Sequence, residues 1–279
     1  MNFDKMHAAG NDYIYINLFR ERVGDPAALS RKLSDRHFGV GGDGVVLIGR
    51  SDVGDFSMRM FNADGSEGLM CGNAARCVGK YLYERGLTDK REIALQTPSG
   101  IKQLLLTVAE ADNRVTQVRV DMGPAITDGS QMQPSQAQLS EIIEHPLRTE
   151  GACYPVTFIS MGNPHVVTFT KEIDKLDLPL IGPGIEHHRL FPQRTNVEFV
   201  EVISRSELRM RVWERGSGET LACGSGACAV LAAAVLTGRA DPSALVHLRG
   251  GDLLVEWDRE QNKVFLTGDA HFVFKGEVD

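Results

Sequence analysis

A chain of 279 residues is long for a single core and comfortable for two domains of about 140 residues each. Its 30 Lys and Arg against 37 Asp and Glu give a formal net charge of -7 with no run of basic residues, which argues against nucleic acid or an anionic membrane surface as the main partner. The opening MNFDKMHAAGNDYIYIN lacks a basic segment followed by an apolar one, and the most apolar stretch, ACAVLAAAVLTG, is too short to span a bilayer, so a cytoplasmic protein is expected.

In chain order, D-F-S-M-R-M-F at 55 to 61 alternates with the period of a half-buried strand. C-G-N-A-A-R-C-V-G-K-Y-L-Y-E-R-G, from Cys71, then predicts a helix ending at a glycine, with apolar residues three and four apart. The charge-rich E-R-G-L-T-D-K-R-E is read as surface, K-Q-L-L-L-T-V as a strand, and V-R-V-D-M-G-P-A as the run closing the first half. The polar stretch around GSQMQPSQAQ, within 126 to 150, reads as the crossover between halves. S-E-L-R-M-R-V-W predicts another strand, and C-G-S-G-A-C-A-V-L-A-A-A-V-L-T-G a second helix, apolar nearly all round and therefore wrapped by sheet. D-L-L-V-E-W-D and V-F-L-T-G-D-A complete the second half.

The two helical stretches open alike, and an offset of 152, the difference between positions 71 and 223, keeps returning matches. It pairs Gly10 with Gly162, Asn11 with Asn163, Val45 with Val197, Met58 with Met210, Arg59 with Arg211, Gly72 with Gly224, Ala75 with Ala227 and Val78 with Val230. The chain reads as an internal duplication. The fold class expected is α+β: two pseudo-twofold related domains, each a mostly antiparallel sheet around a central helix, with a site in the cleft between them. The first domain spans 1–125 and the second 126–267.

A cysteine in the first turn of a helix sits against unpaired N–H groups and the positive end of the macrodipole, which is expected to lower a thiol pKa from about 8.5 by roughly one or more units. A lone cysteine there is more often an inert core residue, but the duplication favours function for Cys71 and Cys223. The backbone N–H groups of Gly72, Asn73, Gly224 and Ser225 suit a carboxylate. Two acid/base groups on opposite faces of one carbon are what inversion of a stereocentre requires, one as thiolate and its partner as thiol. No lysine sits in a setting that suggests a Schiff base, so neither pyridoxal phosphate nor another cofactor is expected. Five cysteines, at 71, 77, 153, 223 and 228, form neither a disulfide framework nor a zinc pattern, and reduced thiols are the default. Cys77 and Cys228 read as core, and Cys153 has no evident partner. His187 and His188 follow a Pro-Gly stretch read as a loop and are placed on the surface rather than on a metal. Asn11 and Asn163 could equally be turn residues tolerant of left-handed backbone, and Glu67 and Glu219 either contact their Cys-Gly or lie in solvated turns.

The motifs K-M-H-A-A-G-N-D-Y, R-H-F-G-V-G-G-D-G, F-N-A-D-G-S-E-G-L-M-C-G-N-A-A-R-C, G-N-P-H, R-T-N-V-E-F-V, W-E-R-G-S-G-E-T and A-C-G-S-G-A-C-A follow in one order along the chain. In this the sequence resembles the diaminopimelate epimerase family nearly end to end, which implies a C-terminal strand at about 268–279 returning to the first domain. The resemblance implies cofactor-independent conversion of LL- to meso-2,6-diaminopimelate for lysine and peptidoglycan precursors, with Cys223 as acceptor and Cys71 as donor in one direction. It implies substrate contacts from Asn11, Asn62, Asn163, Asn196, Glu214, Arg215 and the backbone of Gly72, Asn73, Gly224 and Ser225. It implies tuning of the thiol pair by His165 and Glu214, and no metal. Where some family members carry Gln, this chain has Gly44. The divergence between halves assigns Arg215 to a distal carboxylate and Glu214 to an ammonium group. The small-molecule substrate is the main partner, and the apolar closing run H-F-V-F permits a homodimer. Three other readings stand beside this one: a proline racemase or hydroxyproline epimerase, a PhzF-like isomerase without the cysteine pair, and a non-enzymatic scaffold whose thiols form a redox switch or metal clip.

Overall fold

The computed structural model describes residues 1–129 and 142–278, so most of GSQMQPSQAQ lies outside the described residues. The chain divides into two compact units, Met1–Asp121 with Thr267–Asp279, and Met122–Leu266.

In the first unit, strands β1 (Asn2–Ala8), β2 (Asn11–Asn17), β3 (Gly44–Gly49), β4 (Phe56–Asn62), β6 (Glu92–Thr97), β7 (Gly100–Val108) and β8 (Val115–Gly123) follow the short β5 (Glu67–Gly68) and the C-terminal β18 (His271–Glu277) into one sheet. Its spatial order is β18, β1, β2, β3, β4, β6, β7, β8. The pairs β2 with β3 and β4 with β6 are parallel, and the rest of this ladder is antiparallel. Helix α2 (Gly72–Glu84) packs on β1, β2 and β7. Helix α1 (Pro26–Ser34) covers β2, β3 and β4, closing a second core of Phe3, Ile14, Ile16, Leu33, Val45, Leu47 and Phe61.

The second unit repeats this plan. Its strands β9 (His145–Thr149), β10 (Ala152–Ser160), β11 (Pro164–Phe169), β12 (Asn196–Ser204), β13 (Glu207–Glu214), β15 (Ser243–Leu248) and β16 (Gly251–Asp258) are ordered as numbered, with β14 (Gly218–Thr220) hairpinned on β13. Strand β17 (Lys263–Gly268) follows. The parallel pairs, β11 with β12 and β13 with β15, fall where the first unit has its own. Helix α4 (Gly224–Leu236) touches β10, β11, β12, β13, β15 and β16, and its residues from Gly226 to Ala234 are all buried. Each fully buried Val or Leu on it contributes about 1.5–3 kcal/mol, and a helix apolar all round can settle only where sheet encloses it.

Helices α2 and α4 correspond residue for residue through the offset of 152, and so do α1 and α3 (Leu178–Glu186). The second pair corrects the reading of one principal helix per half, and the Pro183-Gly184 stretch read as a loop lies inside α3. The cause is local: Asp25 and Asp177 cap these helices by accepting from Ala28 N and Leu180 N, and each helix has a proline in its first turn, where the missing N–H costs nothing. His187 follows α3 exposed to solvent, and no cluster of metal-ligating side chains occurs among the described residues. Among the same residues, no helix is long and apolar enough to cross a membrane.

Candidate active site

Each unit carries one cysteine at the N-cap of its central helix. Cys71 caps α2 with φ -139° and ψ 118°, and Cys223 caps α4 with φ -126° and ψ 110°. Both are extended residues feeding a helix, so the N–H groups of Gly72 and Asn73 precede the first intrahelical bond of α2, Ala75 N to Cys71 O at 2.9 Å. In α4 the N–H groups of Gly224 and Ser225 stand in the same place before Ala227 N to Cys223 O, also 2.9 Å.

The two sulfurs meet different partners. Cys71 Sγ donates to Asn11 Oδ1 at 3.4 Å. The orientation of that amide is set from behind, because Asn11 Nδ2 donates to Asp43 Oδ2 at 2.7 Å. Asp43 also accepts from Asp12 N at 3.1 Å and from Arg36 at 3.0 Å, and Arg36 bridges back to Asp12 at 2.8 Å. Cys223 Sγ accepts from Gly226 N at 3.4 Å, lies 3.6 Å from Ser225 Oγ and donates to the Glu214 carboxylate.

The expectation of lowered thiol pKa values fails for Cys223. Burial, followed by the nearby charges of Glu214 and Glu198, pushes its thiol well above the ordinary value, and the bonds from Ser225 and Gly226 N only oppose this. Burial and two nearby carboxylates both disfavour the thiolate. Glu214 itself is raised, chiefly by burial, while bonds from Thr220 and Cys223 pull the other way.

Asn163 and His165 join Cys223 in the second unit. Asn163 Nδ2 donates to Ser225 Oγ at 3.2 Å, its Oδ1 lies 3.1 Å from His165 Nε2, and His165 Nδ1 lies 2.7 Å from Glu198 Oε1. The left-handed backbone in these turns falls on Ala9, Gly10 and Gly162, not on Asn11 or Asn163, so the asparagines are not there to accommodate the turn. Asn196 is tied at both ends of its amide, donating to Pro164 O at 2.9 Å and accepting from Arg215 N at 2.9 Å, which fixes the chain leading into an exposed Arg215 side chain. In the first unit, Asn62 Nδ2 donates to Ser66 Oγ at 3.0 Å, and the buried Asn73 accepts from Arg76 at 3.0 Å.

Glu67 and Glu219 pair with strand arginines, each bidentate: Arg59 to Glu67 at 2.7 and 3.0 Å, and Arg211 to Glu219 at 2.8 and 3.0 Å. Cys77 and Cys228 are fully buried, and burial pushes the Cys77 thiol up to about 12; Cys153 is exposed. Three residues of these half-sites escaped the sequence reading: Asp43, Arg76 and Glu198. Arg76 and Glu198 are charged and fully buried, and the offset sets them against Cys228 and Val46, a contrast that marks both.

The model of the family described as diaminopimelate epimerase matches residues 3–127 and 157–273. The diaminopimelate epimerase of Acetivibrio thermocellus is 54% identical over 279 residues, covering 100% of this chain and 99% of its own. That of Methanococcus maripaludis strain C5 is 50% identical over 279 residues, with 100% of each covered. Among solved structures, a PhzF-family phenazine biosynthesis protein of Bacillus anthracis superposes with a TM-score of 0.72 at 18% identity, over 100% of this chain and 98% of its own. A hydroxyproline epimerase of Agrobacterium vitis does so with a TM-score of 0.69 at 16% identity, over 100% and 90%. These two share the α+β fold; the sequence relatives decide the family. This chain, with its duplicated Cys-Gly helix starts, belongs to the diaminopimelate epimerase family.

Proposed function

We propose that the protein interconverts LL- and meso-2,6-diaminopimelate by a two-base reaction without pyridoxal phosphate or metal, with Cys71 and Cys223 as the acid/base pair. The observation that carries this reading is the placement of one cysteine at the N-cap of each central helix, at positions that correspond exactly through the duplication. One sulfur, as thiolate, takes the α-proton and becomes a thiol. The electron pair left on carbon spreads into the carboxylate, where the N–H groups of Gly72, Asn73, Gly224 and Ser225 stabilise it. The opposite thiol then delivers its proton to the other face and becomes the thiolate, so one turnover exchanges the roles of the pair.

Asn11, Asn62, Asn163 and Asn196 line the substrate, Arg215 takes the distal carboxylate and Glu214 the ammonium group, while His165 and Glu214 tune the thiol pair. Contacts support parts of this assignment: Asn11 already holds Cys71, and Glu214 and Asn163 reach Cys223 directly or through Ser225. The product serves lysine and peptidoglycan precursor synthesis in the cytoplasm. Val273 and Phe274, 54% and 48% exposed on β18, offer an apolar face for a homodimer.

The test is proton NMR of the reduced enzyme in D₂O with LL-diaminopimelate, proline and hydroxyproline supplied separately, with and without EDTA. Exchange and inversion of diaminopimelate alone, unaffected by EDTA, is the expected result. Turnover only of proline or hydroxyproline would transfer the chain to another activity of the shared fold, and loss of activity in EDTA would overturn metal independence.

A further inference from the structure

The two units differ at one fully buried carboxylate. Glu198 in β12 corresponds through the offset to Val46 in β3, and each is 0% exposed. The fold therefore accepts an apolar side chain at this place, and a carboxylate there carries a desolvation cost that valine avoids. Two neighbours diverge with it: His165 stands against Tyr13, and Gly226 against Ala74. A Cβ at position 226 would lie 2.8 Å from Glu198 Oε1 and 3.2 Å from Cys223 Sγ. The glycine thus makes room for a carboxylate beside the catalytic sulfur. Three linked differences at the same spot describe a device added to one half of a duplicated fold.

The hydrogen bonds say what the device holds. His165 Nδ1 lies 2.7 Å from Glu198 Oε1, and Nε2 lies 3.1 Å from Asn163 Oδ1. Asn163 turns its Oδ1 to the ring and its Nδ2 to Ser225 Oγ, at 3.2 Å. Carboxylate and amide oxygens accept and do not donate, so each ring nitrogen must bring its own hydrogen. The other oxygen of Glu198, Oε2, is buried with no hydrogen-bond partner. An ionised carboxylate with one bare oxygen is tolerable in such a place only when a full positive charge lies against it.

We propose that Glu198 is a positioning residue of the Cys223 half-site: together with Asn163 it holds His165 protonated on both ring nitrogens, a buried cation that offsets the Glu198 and Glu214 charges set against a Cys223 thiolate. This rests on the reading of Cys223 as an acid/base group, but the state of the ring can be read without turnover. Ser225 completes the line, 3.6 Å from the sulfur on one side and bonded to Asn163 on the other.

The experiment is two-bond proton–nitrogen NMR of the full-length enzyme labelled with ¹⁵N-histidine, in the wild type and in Glu198→Gln. Wild type is expected to show His165 with two protonated nitrogens. Glu198→Gln, which keeps the shape and removes the charge, should show one protonated and one bare nitrogen, and kcat should fall roughly tenfold or more with KM nearly unchanged. Glu198→Asp should restore the doubly protonated ring. The double variant Glu198→Val with Gly226→Ala copies the pair the first unit already tolerates, and it should lose activity while melting like wild type. A bare nitrogen on His165 in the wild type would mean a neutral ring, facing a reversed Asn163 amide at Nε2 or a protonated Glu198 at Nδ1, and would overturn the proposal. So would a spectrum and a kcat that Glu198→Gln leaves unchanged. An inactive wild type with a doubly protonated His165 would count against the epimerase reading and leave the ring assignment standing.

Discussion

Replacing Gly44 by alanine drives an atom into backbone. The added Cβ would lie 2.1 Å from Phe61 O, 3.0 Å from Phe61 C and 2.8 Å from Tyr13 Cε1. Gly44 sits at the start of β3, between Tyr13 of β2 and Asn62 of β4, so relief requires β4 to move rather than a side chain to turn. Overpacking of this kind costs about 1–3 kcal/mol, and a contact with main chain belongs at the upper end. At roughly 2–4 °C per kcal/mol, the expected loss in Tm is about 6–12 °C. Gly151→Ala is the control: its φ of 86° strains an alanine, but nothing lies within 4 Å of the new atom. It should cost only about 1–2 kcal/mol. Thermal unfolding followed by circular dichroism compares the two. A Gly44→Ala protein no less stable than Gly151→Ala would refute the steric argument. Glutamine carries the same Cβ, so Gly44→Gln should be at least as damaging.

Arg215→Met is expected to raise KM for diaminopimelate steeply and to relax discrimination against monocarboxylic amino acids; steady-state kinetics with unchanged KM and selectivity would sink that assignment. Mild oxidation of the substrate-free enzyme should join Cys71 to Cys223 and abolish activity until a thiol reductant is added, and full activity in the oxidised sample, with both thiols still titratable, contradicts this. Arg76→Met removes the partner of Asp269 O and Asn73 Oδ1, bonded now at 3.1 and 3.0 Å, and should cost roughly 2 kcal/mol or more in urea unfolding. A variant as stable as wild type would mean that relief from burying the charge offsets both lost bonds. His247 is raised mainly by its bond to Asp252, with Glu207 adding to it, so it binds its proton more tightly folded than unfolded. Its contribution is therefore complete below the unfolded value near 6.5 and fades as pH climbs through the raised one. The stability gap between wild type and His247→Gln should shrink as pH rises; a gap that widens would reverse the sign.

The duplication was legible because offset matches do not depend on knowing the fold. It located the central helices, whose glycine ends at Gly86 and Gly238 adopt φ 69° and 71°, and the alternating strands on either side. Helices α1 and α3 are harder to read because they are short and Pro183 and Gly184 imitate a loop, although Asp25-Pro26 and Asp177 with Pro179 signal their starts. The direction of the Cys223 shift was not legible, since a helix start can be read from sequence but the carboxylates of Glu214 and Glu198 reach the sulfur only through β13 and β12. Asp43 was hidden for a similar reason: its role is to orient Asn11, and that contact spans |i−j| of 32.

The central claim is that the group which takes the α-proton is not the group which returns one. In D₂O, early in the reaction of LL-diaminopimelate, mass spectrometry of the separated isomers tests this directly. If Cys71 and Cys223 act on opposite faces, the first meso product carries deuterium at the inverted carbon while the remaining LL substrate stays unlabelled. Deuterium accumulating equally in substrate and product would mean one base serving both faces, and would contradict the account.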